Sequence, residues 1–231
     1  MLSKPVPAWI LCSCFVLAGL AGSINAVGFL GVRHQALSHM SGPITFLSNE
    51  IARGELTFAF NALLVIAAFF LGCVVSAMII RQSTLKLGRR YGFVLLLESI
   101  ALIFAWRFLS VGKYGGECFA ALACGLQNAM ASSYSGAVIR TTHMTGILTD
   151  LGISLGHALR GDGVDRRRVG LYGVLLAGFF CGGVGGSFSY IKIGFDTLLF
   201  AAAITGIIGS IYLALTFTTI SRGAPIPDDG S

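Results

Sequence analysis

Six apolar runs of 21–23 residues divide this chain: Trp9–Leu30, Phe58–Ile80, Tyr91–Val111, Glu117–Val138, Val169–Tyr190 and Asp196–Thr218. Roughly 20 helical residues cross the hydrocarbon core of a bilayer, about 30 Å thick. In that medium each backbone N–H and C=O must be satisfied within the protein, so a continuous apolar run has to become a helix. Composition agrees. Of 231 residues, 55% are hydrophobic and 11% are charged, less than half the charged share usual in soluble domains. A soluble enzyme, a disordered chain and a disulfide-stapled scaffold are excluded. An outer-membrane barrel would need alternating rather than continuous apolar residues. The fold class is an all-α polytopic membrane protein.

Two further stretches, His39–Arg53 and Thr142–Arg160, are shorter and more polar. A helix from Pro43 to Arg53 reaches about 16 Å, half a bilayer. Charge decides whether these segments cross. If they do not, eleven basic residues share one side: Lys4, Arg81, Lys86, Arg89, Arg90, Arg140, Arg160, Arg166, Arg167, Arg168 and Arg222. Four lie on the other, namely Arg33, Arg53, Lys113 and Lys192, and Arg107 stays at membrane depth. If both cross, the split falls to eight against seven. The positive-inside rule therefore favours six spans with both termini cytoplasmic, in an inner membrane. The net charge of +6 is read as this topology signal and not as a nucleic-acid partner. Lys4 and the run Trp9–Leu20 resemble a signal peptide, but Ile24 before Ala26 spoils a cleavage site, so the segment is expected to be an uncleaved first span. The tail, residues 221–231, is expected to be disordered.

The sequence also repeats itself. Gly22-x-x-Asn25-Ala26 is followed by His39-Met40-Ser41-Gly42-x-x-Thr45, and Gly125-x-x-Asn128-Ala129 by His143-Met144-Thr145-Gly146-x-x-Thr149. Only four His and five Met occur in the chain, yet two of each fall on matched positions. Residues 1–112 and 113–220 thus form two repeats, each with three spans and one half-length segment. Three crossings make the second repeat enter from the opposite face, so the repeats should be inverted. Their half-helices, 39–53 and 142–160, would broken or re-entrant meet near the midplane, as in many secondary transporters. Ser41 and Thr145 are expected to be N-caps, and Pro43 suits a first helical turn.

The stretches Gly19–Thr45 and Gly125–Gly156, with Gly-Leu-Gln-Asn-Ala and Arg-Thr-Thr-His-Met-Thr-Gly-x-Leu-Thr-Asp-Leu-Gly, resemble the YoaK-like family of bacterial multi-span membrane proteins of unknown function. The resemblance covers nearly the whole chain and implies a compartment, not a reaction. Members often carry an acidic residue at the place of Asn25 and Asn at the place of Pro43. The second copy matches the family pattern more fully, so Asn128 and His143 are expected to matter more than Asn25 and His39.

The candidate substrate-contact residues are Asn25, His39, Ser41, Asn128, His143, Thr145 and Asp150. Glu98 is the candidate for proton coupling, because an intramembrane carboxylate is costly and points to function. Seven residues separate His143 from Asp150, which suits one helix face. The six cysteines lie in apolar stretches without a C-x-x-C pair, and two His without a carboxylate or thiolate cluster are a weak metal signal, so neither metal nor cofactor is expected. No P-loop, G-x-S-x-G or H-E-x-x-H motif is present. The reading is a non-enzymatic inner-membrane transporter or permease for a small polar or anionic solute. The alternative is a membrane accessory protein or membrane-embedded enzyme. Partners are the bilayer, the solute and, at most, a second copy in a homodimer.

Overall fold

The computed structural model describes residues 7–31, 35–80, 89–135 and 140–221. The tail beyond Ser221, and with it Lys4, Arg33, Arg81, Lys86 and Arg222, lies outside the described residues. The described chain is helical throughout and contains no strand. In order the helices are α1 (Ala8–Gly31), α2 (Ser41–Arg53), α3 (Leu56–Ile79), α4 (Arg89–Ser110), α5 (Gly115–Ser135), α6 (Met144–Leu159), α7 (Arg166–Ile193), a 3-10 turn (Gly194–Asp196) and α8 (Thr197–Ser221).

Four helical stretches are long and apolar enough to cross a membrane: Ala8–Gly31, Leu56–Ile79, Arg89–Ser110 and the continuous Arg166–Leu215. The last holds α7, the turn and most of α8, and Thr197 Oγ1 donates to Ser189 Oγ at 3.1 Å across the turn. Eight residues of straight helix would span about 12 Å, so the chain reverses there. α5 is less apolar because it carries Glu117, Gln127 and Asn128. The polarity is that of a membrane protein: Met78 is 72% exposed and Glu98 0%. α2 has 13 residues and α6 has 16, giving lengths of about 20 and 24 Å, short of the hydrocarbon thickness.

Local signals set the helix ends. Asp165 caps α7, its side chain accepting from the backbone N–H of Arg167 and Arg168. Gly54 (φ +77) closes α2 and Gly161 (φ +84) follows α6, both in the left-handed region where a side chain is strained. Ser41 and Thr145, expected as N-caps, sit just inside their helices. The cap positions are Met40 and His143, without a side-chain cap bond. The carbonyls of Ser41 and Thr145 instead accept the hydroxyls of Thr45 and Thr149, each at 2.9 Å.

Glycine decides how the helices meet. A Cβ on Gly178, Gly182 or Gly186 of α7 would lie 2.5, 1.9 and 2.6 Å from Phe15 O, Gly19 O and Ser23 Cα of α1. The constant offset shows that α1 and α7 run parallel, backbone against backbone, as small residues permit in hydrocarbon. The same contact occurs a second time. A Cβ on Gly22 would meet Phe179 O at 2.2 Å, and one on Gly125 of α5 would meet Phe69 O of α3 at 2.1 Å. Leu126 and Met130 pack in one cluster with Val75 and Ile79, one end further along both helices, so α3 and α5 are parallel too.

The other pairs run the opposite way. Gly92 packs on Gly209, and Ser99 Oγ donates to Ala202 O at 2.7 Å, so α4 and α8 are antiparallel. Gln127 Nε2 donates to Leu17 O at 2.7 Å. Ala131 packs at the level of Cys14, and Cys124 at that of Leu20. α1 and α5, the two helices bearing Gly-x-x-Asn, are therefore antiparallel.

Candidate functional site

The loop between α1 and α2 folds back onto Asn25. Its Oδ1 accepts from the N–H of Leu37 (3.2 Å), the N–H of Ser38 (3.3 Å) and Ser38 Oγ (3.1 Å). Non-helical backbone at membrane depth needs such a protein acceptor. Ser38 Oγ also lies 2.9 Å from His39 Nδ1, so Asn25, Ser38 and His39 form one hydrogen-bonded chain. Edge-on, the His39 ring meets Phe179 at 5.2 Å.

Phe179 stands at the middle of α7. Met144 packs in the same core cluster, and the His39 and His143 imidazoles lie within electrostatic reach of each other. His39 and Met144 thus both pack against the middle of α7, through Phe179 and the cluster around it. Their environments differ. His39 is half-buried, whereas His143 is exposed and folds over its own Gly146, where a Cβ would lie 2.0 Å from Nε2. Asn25 is committed to its loop, while Asn128 Oδ1 is buried with no partner among the described residues. Ser41 and Thr145 are exposed.

Asp150 does not pair with His143. Tyr172 Oη of α7 donates to Asp150 Oδ2 at 2.7 Å, and the Arg168 guanidinium lies 5.7 Å from the Tyr172 ring centroid. The bond ties α6 to α7. Tyr172→Phe is expected to lower stability by about 1.5–3 kcal/mol, the range for a hydrogen bond to a charged group. A double-mutant cycle with Asp150→Asn, read by thermal unfolding in detergent, checks that the loss belongs to the pair.

Glu98 is fully buried, and neither carboxylate oxygen has a partner among the described residues. It lies within electrostatic reach of Cys124 on α5. The other unpartnered buried oxygens among the described residues include the amide acceptors of Gln35, Gln127 and Asn128 and the hydroxyls of Ser76 and Thr141. No Lys, Arg or His is buried among the described residues. Sequence reasoning passed over Ser38 and Phe179. The matched pair Ser38/Thr142, each just before the repeated His, was the available signal for the first; nothing marked Phe179. Among the described residues no group of three His, Cys, Asp or Glu is arranged to hold a metal.

A protein-family model covers residues 13–211 of this architecture: DUF1275, protein of unknown function. The chain belongs to the DUF1275 family. No curated protein and no solved structure matches it. As a member of DUF1275, the protein inherits a sequence pattern and no assigned reaction, so function has to be argued from the helices and the buried polar groups.

Proposed function

We propose that this DUF1275 protein is an inner-membrane transporter or permease built from two inverted three-span repeats, moving a small polar solute between the half-length helices α2 and α6. The observation that carries the proposal is direction. α1 and α5 hold the matched motifs and run antiparallel, while α1–α7 and α3–α5 form the same parallel glycine contact twice. If α2 and α6 both crossed, α4 and α8 would be parallel; if only one crossed, α1 and α7 would be antiparallel. Six crossings satisfy all the helix directions, and the charge split puts both termini in the cytoplasm.

A second asymmetry supports transport over a passive role. α4 packs closely on α5, with Gly116 against Leu109, whereas its counterpart contact between α8 and α1 is slight. A cavity of 310 Å³ lies between α1, α4, α5 and α8 at the end that holds the start of α1. Exchange of these two interfaces is the movement that inverted repeats make. Substrate contacts are assigned to His39, Asn128 and His143, with Asn25 positioning the loop. Ser41 and Thr145 lie in the first turns of α2 and α6, Asp150 ties α6 to α7 through Tyr172, and Glu98 serves coupling.

Reporter fusions at Lys113 and Asp165 are expected outside and inside; Asp165 outside overturns the inversion. In a background without native cysteines, Tyr91→Cys should react with an impermeant maleimide from the cytoplasmic side and Leu109→Cys from the outside. A crosslink between Leu109→Cys and Ala120→Cys should then abolish the outside reaction and increase that at Tyr91→Cys. If Leu109→Cys never reacts from the outside, the protein does not alternate, and an accessory or enzymatic role takes the place of transport.

A further inference from the structure

We propose that Asn25 and Asn128 are the two halves of a reciprocal latch: the loop bonds made to Asn25 in this structure are exchanged, in a second state, for the matching bonds to Asn128. The inference rests on the transport reading and names the contacts that hold its two states.

The two copies share a scaffold and differ in one set of bonds. A Cβ on Gly22 would meet the Phe179 carbonyl at 2.2 Å, and one on Gly125 the Phe69 carbonyl at 2.1 Å, so the helix contact one turn before each Asn is alike. The loops are not. Asn25 Oδ1 takes the N–H groups of Leu37 and Ser38 and the hydroxyl of Ser38. The repeat places Thr141 and Thr142 opposite these two residues, and Thr142 keeps a hydroxyl. Yet Asn128 Oδ1 is buried with no partner among the described residues, and so is the Thr141 hydroxyl. The repeated histidines divide in the same way. His39 is half-buried against Phe179, whereas His143 is exposed.

The two asparagines lie at different depths. Gln127, the neighbour of Asn128, donates to the carbonyl of Leu17. Eight residues of α1 separate Leu17 from Asn25, about 12 Å along the axis. Each latch therefore governs its own side of the bundle. On the first side, the latched loop inserts Leu37 into the core beside Val27 and Leu109, so release of Asn25 would withdraw Leu37 and uncover Leu109. A buried acceptor without a donor forfeits a hydrogen bond, and the second copy carries the matching donors in its own loop. In inverted repeats the second state is the first with the copies interchanged. The exchange trades bond for bond, which keeps the two states close in free energy, as a population shift between them requires.

The test is amide hydrogen exchange on the full chain in detergent, read at Leu37, Ser38, Thr141 and Thr142. Asn25→Leu removes all three bonds of the first latch. It should speed exchange at Leu37 and Ser38 and slow it at Thr141 and Thr142 by about tenfold or more. Ser38→Ala removes one bond and is the milder variant should Asn25→Leu fail to fold. It should speed Leu37 about fivefold, the worth of one hydrogen bond, and still slow Thr141. Adding Asn128→Leu to either variant should return Thr141 and Thr142 to their wild-type rates. Ser48→Ala, exposed on α2 and bonded within that helix, should change neither loop. Faster exchange in both loops, or a change confined to the first, overturns the latch. If that result comes with alternating maleimide reaction at Tyr91→Cys and Leu109→Cys, transport stands without the latch. Reciprocal exchange with Leu109→Cys silent from the outside keeps the latch and sinks transport.

Discussion

Gly182→Ala is expected to destabilise the bundle by about 3 kcal/mol or more, while Gly185→Ala, three residues on, is expected to be neutral or stabilising by up to about 1 kcal/mol. The new Cβ at Gly182 would lie 1.9 Å from the carbonyl oxygen of Gly19. That neighbour is backbone, so no rotamer change relieves the clash. α1 and α7 must separate, and the close dispersion contacts that hold helices together in hydrocarbon weaken along the interface. At Gly185 nothing lies within 4 Å, and alanine only reduces the freedom of the unfolded chain. Thermal unfolding followed by size-exclusion fluorescence separates the two. Gly72→Ala, whose Cβ would meet Leu122 O at 2.3 Å, should behave like Gly182→Ala, because it is the other copy of the same contact.

Asn25→Leu and Asn128→Leu should part company although their residues are matched in sequence. Asn25 satisfies two backbone N–H groups and a hydroxyl of the His39 loop. Removing its carbonyl strands those donors at about 1–3 kcal/mol each, so a loss of about 3 kcal/mol and a freed loop are expected. Asn128 has an unpartnered Oδ1 among the described residues, and Asn128→Leu should cost less than about 1 kcal/mol. Its effect should appear instead in solute binding or uptake. The motif pattern points to the second copy as the more sensitive. The hydrogen bonds divide that expectation: the stability cost is expected in the first copy, and a binding or uptake defect in the second. Equal unfolding midpoints for the two variants would refute the division.

Much of this was legible in residues alone. Continuous apolar runs determined the helices, because hydrocarbon offers the backbone no other partner. Their ends agree with the structure to within a few residues for α1 and α7. The repeat was legible because His and Met are scarce. The half-length of α2 and α6 followed from where the polar residues fall.

Which partner each helix takes was decided only in three dimensions. Glycine spacing permits close approach to any helix of like shape, and Phe15, Gly19 and Ser23 are recognisable as the matching surface only once α1 lies on α7. The N-caps and the Asp150 partner were misjudged from local spacing: α2 and α6 begin so that Met40 and His143 hold the cap positions, and Tyr172 of α7 takes Asp150. The difference between Asn25 and Asn128 is likewise absent from the sequence, which writes both residues in the same motif. By itself, the sequence determined a duplicated set of membrane helices with a polar thread inside, since burial in lipid constrains every residue one at a time. The tertiary structure decided which oxygens of that thread stay unpaired, because hydrogen-bond satisfaction depends on neighbours brought from other helices.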